Sequence, residues 1–335
     1  MKARICDKML NHLLNQALMK NFSLICALLL LNACTNIHAG SQAYITNQGD
    51  NTVSVLDITD SKVSKSIKVG TAPVGVAVSM RLQRAFISNV ESQNISVIDT
   101  KTNTVIDTIE NLGSPVGIVI SPDSKTLYVA DWYSDRVLAI NTANYKEMRE
   151  ASVEKAPAGM VVSADSRTLY VAARDTNEVA VIDAATFKVS KRVAVGKHPF
   201  GLALSSDGLM LYSVNVYGNS VTAVSTQTWQ TSQIKVGEHP YCAALTADNK
   251  TLYVTNTQDD TVSVVDLSTQ KLIATIDVGM TPEGISYDAA SKRMFIASWG
   301  DNNVSVIDTK TNKVISKIKT GDKSRAFGVF VLPSK

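Results

Sequence analysis

A single repeat of 41 to 42 residues returns along this chain from about Ser41 to the C-terminus. In its clearest copy, Thr251–Asn256 and Thr261–Asp266 are short runs rich in β-branched residues, and a third run and a proline follow them. Short strands at this period are typical of a ring of four-stranded sheets, because each unit buries its apolar faces only against its neighbours. After residue 40, no stretch sustains the 3.6-residue apolar period of a helix, so a helical repeat is excluded.

The number of units follows from the prolines. A proline precedes a short apolar run six times, at spacings of 42, 42, 42, 41 and 42 residues. These six residues are Pro73, Pro115, Pro157, Pro199, Pro240 and Pro282. A seventh run, 327–331, has Ala326 in place of the proline. We assign the seven runs to the innermost strand of each unit, strand a, because proline is tolerated where a strand begins.

Strands b, c and d follow strand a in every unit. Strand b carries an aromatic residue at one fixed position in all seven copies, and strand c is a β-branched run that usually ends in Asp. The aromatic residues are Tyr44, Phe86, Tyr128, Tyr170, Tyr212, Tyr253 and Phe295. We interpret these rings as packing between neighbouring units, and the aspartates as caps of the c–d turns.

The two ends of the chain complement each other. The repeats begin with strands b, c and d at about 43–69 and end with one strand a at about 326–332. Pairing the last strand with the first three closes the ring and removes exposed edges. The expected fold is an all-β, seven-bladed β-propeller of four-stranded antiparallel blades, formed by residues 41–335 as a single domain.

Residues 1–40 have the character of an export leader. Met19, the favoured start of translation, precedes Lys20 and an apolar run of ten residues, which is too short to span a bilayer. The run ends at Ala33 and Cys34 in a pattern that resembles a bacterial lipoprotein site, although Asn32 departs from it, and this predicts lipidation of Cys34. Ordinary cleavage after Ala39 is the alternative. Both place the ring in the periplasm or at the cell surface, with an outer-membrane lipid anchor only in the first case.

Charge is concentrated in that leader. The chain carries a net charge of +3, and residues 1–40 account for +3 with four basic residues and one acidic residue. The remaining 29 basic and 29 acidic residues cancel, so the ring as a whole is neutral. A non-specific polyanion binder usually has a basic domain, so this balance argues against that class and leaves only a local basic patch open.

The ring contains one cysteine, because the other three of the chain lie within residues 1–40. An internal disulfide is therefore excluded within the ring. Cys242 replaces a glycine of an inner strand, and we interpret it as a small buried hydrophobe.

Antiparallel order places the d–a and b–c connections at one face of the ring, here called the upper face, and the a–b and c–d connections at the other, the lower face. Equivalent upper connections in two neighbouring blades contain His198 and His239, each followed by proline. The same face is expected to hold the candidate binding residues Trp132, Tyr133, Arg136, Arg174, Tyr217, Trp299 and Arg325. Such a set suits a flat ligand that carries an anionic group. Filling of turns by His-Pro and covering of the channel rim by aromatic residues are the alternatives.

The inner strands carry little chemistry. They are almost wholly apolar, and Glu283 is the only residue of these apolar runs that is charged at neutral pH. Two histidines and Glu283 are the available metal ligands, but the sequence does not place them together, so no metal site is predicted. The chain has no phosphate-binding P-loop, no nucleophile elbow, no zinc-protease helix motif and no paired-cysteine motif, and neither a catalytic residue nor a cofactor is expected.

The tetrads that begin at Tyr253, Tyr44 and Phe86 read Tyr-Val-Thr-Asn, Tyr-Ile-Thr-Asn and Phe-Ile-Ser-Asn. They resemble the YVTN β-propeller repeat family over about residues 41–332, and with the leader the chain looks most like the YncE-like exported bacterial propellers. The resemblance implies a seven-bladed periplasmic or surface protein; related propellers include surface-layer components, a single-stranded-DNA-binding member and lactonase-like enzymes. The motif residues are structural, so no ligand residue carries over. The tetrad degenerates at Ala173 and Ser298.

These observations favour an exported, non-enzymatic binding or scaffold protein that holds an unknown protein or small molecule at the upper face. One alternative is a metal-assisted lactonase-like hydrolase or lyase. Another is single-stranded nucleic-acid binding through stacking on Trp132 and Trp299. A monomer is expected, with membrane contact only through the lipid on Cys34.

Overall fold

Seven four-stranded antiparallel sheets are formed by residues 41–153 and 155–333, which the computed structural model describes. Each innermost strand contacts the innermost strand of the next sheet, so the sheets are the blades of a closed ring. The fold is the seven-bladed all-β propeller that the repeat predicts. Cys34, the leader and its alternative cleavage site lie outside the described residues.

The 28 strands of this described part are numbered in chain order, and two 3₁₀ turns accompany them at Arg174–Thr176 and Val216–Gly218. The strands are β1 (Gln42–Asn47), β2 (Thr52–Asp57), β3 (Lys62–Lys68), β4 (Pro73–Ser79), β5 (Arg84–Asn89), β6 (Asn94–Asp99), β7 (Thr104–Ile109), β8 (Pro115–Ile120), β9 (Thr126–Asp131), β10 (Arg136–Asn141), β11 (Met148–Ser152), β12 (Pro157–Val162), β13 (Thr168–Ala173), β14 (Glu178–Asp183), β15 (Lys188–Ala194), β16 (Pro199–Leu204), β17 (Met210–Asn215), β18 (Ser220–Ser225), β19 (Thr231–Lys235), β20 (Pro240–Leu245), β21 (Thr251–Asn256), β22 (Thr261–Asp266), β23 (Lys271–Asp277), β24 (Pro282–Asp288), β25 (Arg293–Ser298), β26 (Asn303–Asp308), β27 (Lys313–Lys319) and β28 (Val331–Leu332).

Blades 1 to 6 are β4–β7, β8–β11, β12–β15, β16–β19, β20–β23 and β24–β27, and blade 7 is β28 followed by β1–β3. The middle strands b and c are buried along nearly their whole length, because blades pack against both of their faces. The outermost strands are mostly exposed, and several carry lysines, which discourage pairing with other chains.

The strand-b rings connect neighbouring blades at the lower face, as the sequence predicts. The Tyr44 hydroxyl donates a hydrogen bond to Asn103 Oδ1 in the c–d turn of the next blade, at 2.7 Å. Where the ring is Phe86, the next turn offers Tyr145 instead, and the two rings meet edge to face at 6.1 Å. The turn of the next blade thus supplies a hydrogen-bond acceptor to Tyr44 and an aromatic ring to Phe86.

The strand-c aspartates cap the c–d turns, as predicted. Asp266 Oδ1 accepts hydrogen bonds from the backbone N–H groups of Ser268 at 2.8 Å and Thr269 at 3.2 Å, and from the Ser268 hydroxyl. Hydrogen bonding from Ser268 lowers the pKa of Asp266. These aspartates therefore belong to the scaffold.

The inner strands approach one another closely at their glycines. A Cβ on Gly117 would lie 2.0 Å from the carbonyl oxygen of Ala158 in the next blade, so no larger residue fits there without a shift of backbone. Cys242 takes the equivalent place in blade 5 with only 8% of its surface exposed, and burial raises the pKa of its thiol. This agrees with its interpretation as a small buried residue.

The closing segment differs in detail from the predicted strand a. In the other blades, the proline that begins strand a lies opposite the end of strand b. In blade 7 this place, opposite Asn47, is taken by Ser324 and not by Ala326. Regular pairing with β1 resumes only at Val331, because Ala326 and Gly328 have φ angles of 77° and 95°, which turn the chain away from β1. Proline cannot adopt such a positive φ. The pairing of β28 with β1–β3 is consistent with the expected closure.

The residues within this bend bond sideways to blade 1. Val76 N–H donates to the Phe327 carbonyl at 2.7 Å, and Phe327 N–H donates to the Val74 carbonyl at 3.2 Å. The C-terminal segment is therefore tied to two blades, blade 7 through β1 and blade 1 through β4.

Candidate functional site

A left-handed turn on the upper face fixes the positions of the two histidines. His198 and His239 have φ angles of 52° and 50°, and Ala72 and Ala156 adopt the same conformation in other blades. Asn177 Oδ1 accepts the His198 N–H at 2.8 Å, so the residue before strand c holds the turn. Because alanine serves equally well at this position, the turn does not require an imidazole.

The two imidazoles flank one exposed tyrosine. Tyr217 lies on the 3₁₀ turn Val216–Gly218, with its ring centroid 4.4 Å from that of His198 and 5.0 Å from that of His239. Half of the Tyr217 surface is exposed. His198 Nδ1 is buried, has no hydrogen-bond partner and lies 3.7 Å from Asp175 Oδ1. Three rings from two neighbouring blades therefore form one row.

Arg174 continues this row towards the axis. Its guanidinium lies 5.4 Å from the ring centroid of Trp132 and 5.8 Å from that of Tyr217. Arg174 Nη1 also donates to Asp175 Oδ1 at 2.8 Å. The cation therefore lies between two aromatic rings of different blades, in the geometry of a cation–π contact.

Beneath Trp132, aromatic side chains meet across the axis of the ring. Phe200 contacts Tyr241 of the next blade at a centroid distance of 4.1 Å and Phe327 of blade 7 at 5.1 Å. Trp132 packs on Phe200 at 6.1 Å. Burial raises the pKa of the Tyr241 phenol. The upper end of the central channel is thus filled by rings, and Trp132, Arg174 and Tyr217 lie above them.

A buried ion pair borders these rings. Arg325 binds Glu283 with two donors, Nε to Oε2 and Nη2 to Oε1 at 2.8 Å, and Nη1 donates to Gln48 Oε1 at 3.1 Å. Burial raises the pKa of Glu283, and the Arg325 guanidinium opposes that rise. Trp299 Nε1 donates to the same Gln48 oxygen at 3.4 Å, and Lys323 lies over its ring. Arg325 is therefore engaged within the protein.

The remaining two candidates lie apart from the row. Tyr133 has 80% of its surface exposed. Arg136 points to the flank of blade 2, where Nε donates to Asp131 at 3.0 Å and Nη1 to Glu150 at 2.8 Å. The structure therefore brings together Trp132, Arg174, Tyr217 and the two histidines, which we call the upper patch.

Sequence reasoning missed the rings under the upper patch. Phe200 and Tyr241 stand at the second residue of their inner strands, where Val74, Val116 and Ala158 are smaller. An unusually large residue at one position of the aligned repeats was the available signal. Gln48 gave no such signal, because its role depends on the distant Arg325.

Within the described ranges, no group of three or more His, Cys, Asp and Glu side chains is placed to hold a metal ion. No helix in the same part of the chain is long and apolar enough to span a membrane. The chemistry that this face displays is aromatic stacking and cation–π contact.

Residues 41–162 match the family model described as YNCE-like beta-propeller. Among solved structures, hydrazine synthase of Kuenenia stuttgartiensis aligns with a TM-score of 0.75 and 22% identity, covering 81% of this chain and 93% of that one. A functionally unknown protein from Desulfotomaculum acetoxidans aligns with a TM-score of 0.75 and 15% identity, over 86% of this chain and all of that one. Both likenesses show the fold alone.

One curated relative matches over a short segment. A PE-PGRS family protein of Mycobacterium tuberculosis is 51% identical over 43 residues, which is 13% of this chain and 9% of that protein. The matched length is close to that of one propeller repeat.

Proposed function

This chain is a YncE-like β-propeller, and we propose that it is an exported binding protein that holds its ligand or partner on the upper patch. The observation that carries the proposal is the continuous row of partly exposed rings around Arg174, supported from below by the rings that fill the channel. Every other conspicuous group of the repeat, from the strand-b rings to the strand-c aspartates, is engaged in the scaffold.

The chemistry of the patch favours a flat ligand with a negative charge. Trp132 and Tyr217 offer faces on which a ring can stack, and Arg174 between them attracts an anion. A flat anionic group of this kind can be presented by a larger molecule, such as a partner protein, or can belong to a small molecule. Binding without chemistry agrees with this arrangement.

A simple probe of this chemistry is anilinonaphthalene sulfonate, a flat aromatic anion whose fluorescence rises on binding. We expect the combined change Trp132→Ala and Arg174→Ala to weaken its binding about tenfold, because stacking and cation–π contacts are both lost. The measurement is a fluorescence titration of folded protein, with melting curves to show that the variant remains folded.

The matched control is Leu209→Ala, which removes an exposed hydrophobic residue from an a–b connection on the lower face. Equal loss of binding in both variants would place the probe elsewhere and contradict the proposal. A single-stranded oligonucleotide is the second probe. If the oligonucleotide binds tightly and its affinity falls steeply as salt rises, the partner is a nucleic acid and not a protein.

Export is tested by the mass of the mature protein in a bacterial host. We expect an N-terminal Cys34 that carries a diacylglyceryl group, because the pattern before it resembles a lipoprotein site. A mature protein that starts at Gly40 would refute lipidation and retain export. A protein that remains in the cytoplasm with residues 19–40 uncleaved would refute both export and lipidation.

A further inference from the structure

A cavity of about 550 Å³ lies on the outer rim of the ring, away from the upper patch. It is formed between the outermost strand of blade 2, β11, and the c–d turn and outer strand of blade 3, β15. We call it the rim pocket and define it by Arg149, Glu150, Phe187, Lys188, Val189 and Arg192. We propose that the rim pocket binds a small organic anion through its phosphate or carboxylate group.

The first support is that Arg149 is held in place before any ligand arrives. Its Nη1 and Nη2 donate to the carbonyl oxygens of Ala185 at 2.8 Å and Ala184 at 3.0 Å. Its guanidinium lies 5.1 Å from the ring centroid of Phe187, which in turn stacks on Tyr128 at 6.0 Å. A guanidinium with fixed orientation loses little conformational entropy on binding an anion.

The second support is that these contacts do not use the whole guanidinium. Arginine carries five N–H donors, and the two carbonyls of blade 3 accept two of them. The remaining donors suit a phosphate or carboxylate, which arginine binds in a two-point geometry.

The third support is the balance of charge in the pocket. Lys188 lines it from β15, on the same outer rim as Arg149. Among the described residues of its lining, Glu150 is the one acid, and it pairs at 2.8 Å with Arg136, which also binds Asp131. The pocket therefore presents net positive charge, although the ring as a whole is neutral.

The equivalent residues of two other blades show which contacts are needed only to hold neighbouring blades together. Lys65 occupies the equivalent position on β3, and its Nζ donates to the Thr102 carbonyl in the next blade at 3.0 Å. Lys191 is the equivalent on β15 and lies over the Trp229 ring at 5.2 Å. A lysine thus suffices to join two blades, and the arginine of blade 2 supplies donors beyond that need.

The size of the cavity restricts the ligand. About 550 Å³ is within the range of small-molecule pockets. Ala151 and Val189 add apolar wall beside the cations, which favours an organic anion over a bare inorganic one. Because the pocket is open and its cations are exposed, binding weakens as salt rises.

The test is calorimetric titration of the propeller with phenyl phosphate, benzoate, citrate and inorganic phosphate at low salt. We expect an organic anion to bind, Arg149→Ala to weaken it about tenfold, and Arg149→Lys to weaken it less. The control is Arg81→Ala, since Arg81 is also exposed and donates to a carbonyl of the next blade, Asp123 O, at 3.2 Å. Melting curves establish that each variant remains folded.

The relative affinities of the four probes identify the anionic group that the rim pocket binds. Phenyl phosphate binding more tightly than benzoate assigns the pocket to phosphate esters, and the reverse assigns it to carboxylates. The proposal is overturned if none of the probes binds, if Arg81→Ala weakens binding as much as Arg149→Ala, or if inorganic phosphate binds as tightly as the organic anions. Since the rim pocket and the upper patch share no residue, each proposal survives failure of the other.

Discussion

Replacing Glu283 by glutamine is expected to lower the free energy of unfolding by about 3–5 kcal/mol, because it leaves the Arg325 guanidinium buried without its counter-charge. The two side chains are only 8% and 19% exposed, so water does not substitute for the lost carboxylate. Two donors of Arg325 bind the two oxygens of that carboxylate, whereas the glutamine amide offers one neutral acceptor oxygen beside Gln48. Denaturant unfolding followed by fluorescence measures the change.

The double variant Glu283→Leu with Arg325→Leu shows whether stability is lost through one unpaired buried charge or through loss of the ion pair itself. We expect it to recover most of the stability, since burying two apolar residues avoids the desolvation of two ions. The control is Lys62→Ala, which removes an exposed pair with Asp60 and is expected to leave stability nearly unchanged. If Glu283→Gln behaves like Lys62→Ala, the pair is hydrated and our description of the closed axis is wrong.

The second large effect concerns the asparagine that ends strand b. In blade 5, Asn256 Nδ2 donates to Thr261 Oγ1 and Ser263 Oγ, both at 2.9 Å. In blade 6 the shorter Ser298 stands in its place, and Ser298 Oγ, Asn303 Oδ1 and Ser305 Oγ are buried without partners. Each such group costs about 1–3 kcal/mol.

Exchanging the two residues is expected to move stability in opposite directions. Ser298→Asn restores the amide donor and is expected to stabilise the ring by about 1–3 kcal/mol, and Asn256→Ser is expected to destabilise it by a similar amount. Thermal and denaturant unfolding measure both changes.

Blade 3 provides the control for this exchange. There Ala173 takes the place of the asparagine and faces Glu178 on strand c, followed by Ala180. Because Ala180 has no hydroxyl, Ala173→Asn meets at most the Glu178 carboxylate and relieves none of the buried unpaired oxygens of blade 6, and we expect a clearly smaller gain. A gain in Ala173→Asn equal to that in Ser298→Asn would show that general filling of space, and not hydrogen bonding, is responsible.

The sequence predicted the ring because its repeats keep phase, and phase decides which strands pair. It predicted the position of the upper patch because antiparallel order alone assigns connections to faces. It did not predict that Arg325 joins Glu283, since they lie 42 residues apart and meet only because their blades are neighbours. It also did not predict the bend after Ser324, because the positive φ of Ala326 results from contacts with blade 1 and not from local preference.

The double attachment of the C-terminal segment has a consequence for the life of the folded ring. Because Phe327 bonds to blade 1 while Val331 pairs in blade 7, the seam opens only when both sets of hydrogen bonds break together. Synthesis delivers these residues after the other strands of the ring, so the ring remains open until they have been made. The seam is thus made late, and we expect its opening to set the unfolding rate, which governs loss to proteases when cleavage is faster than reclosing.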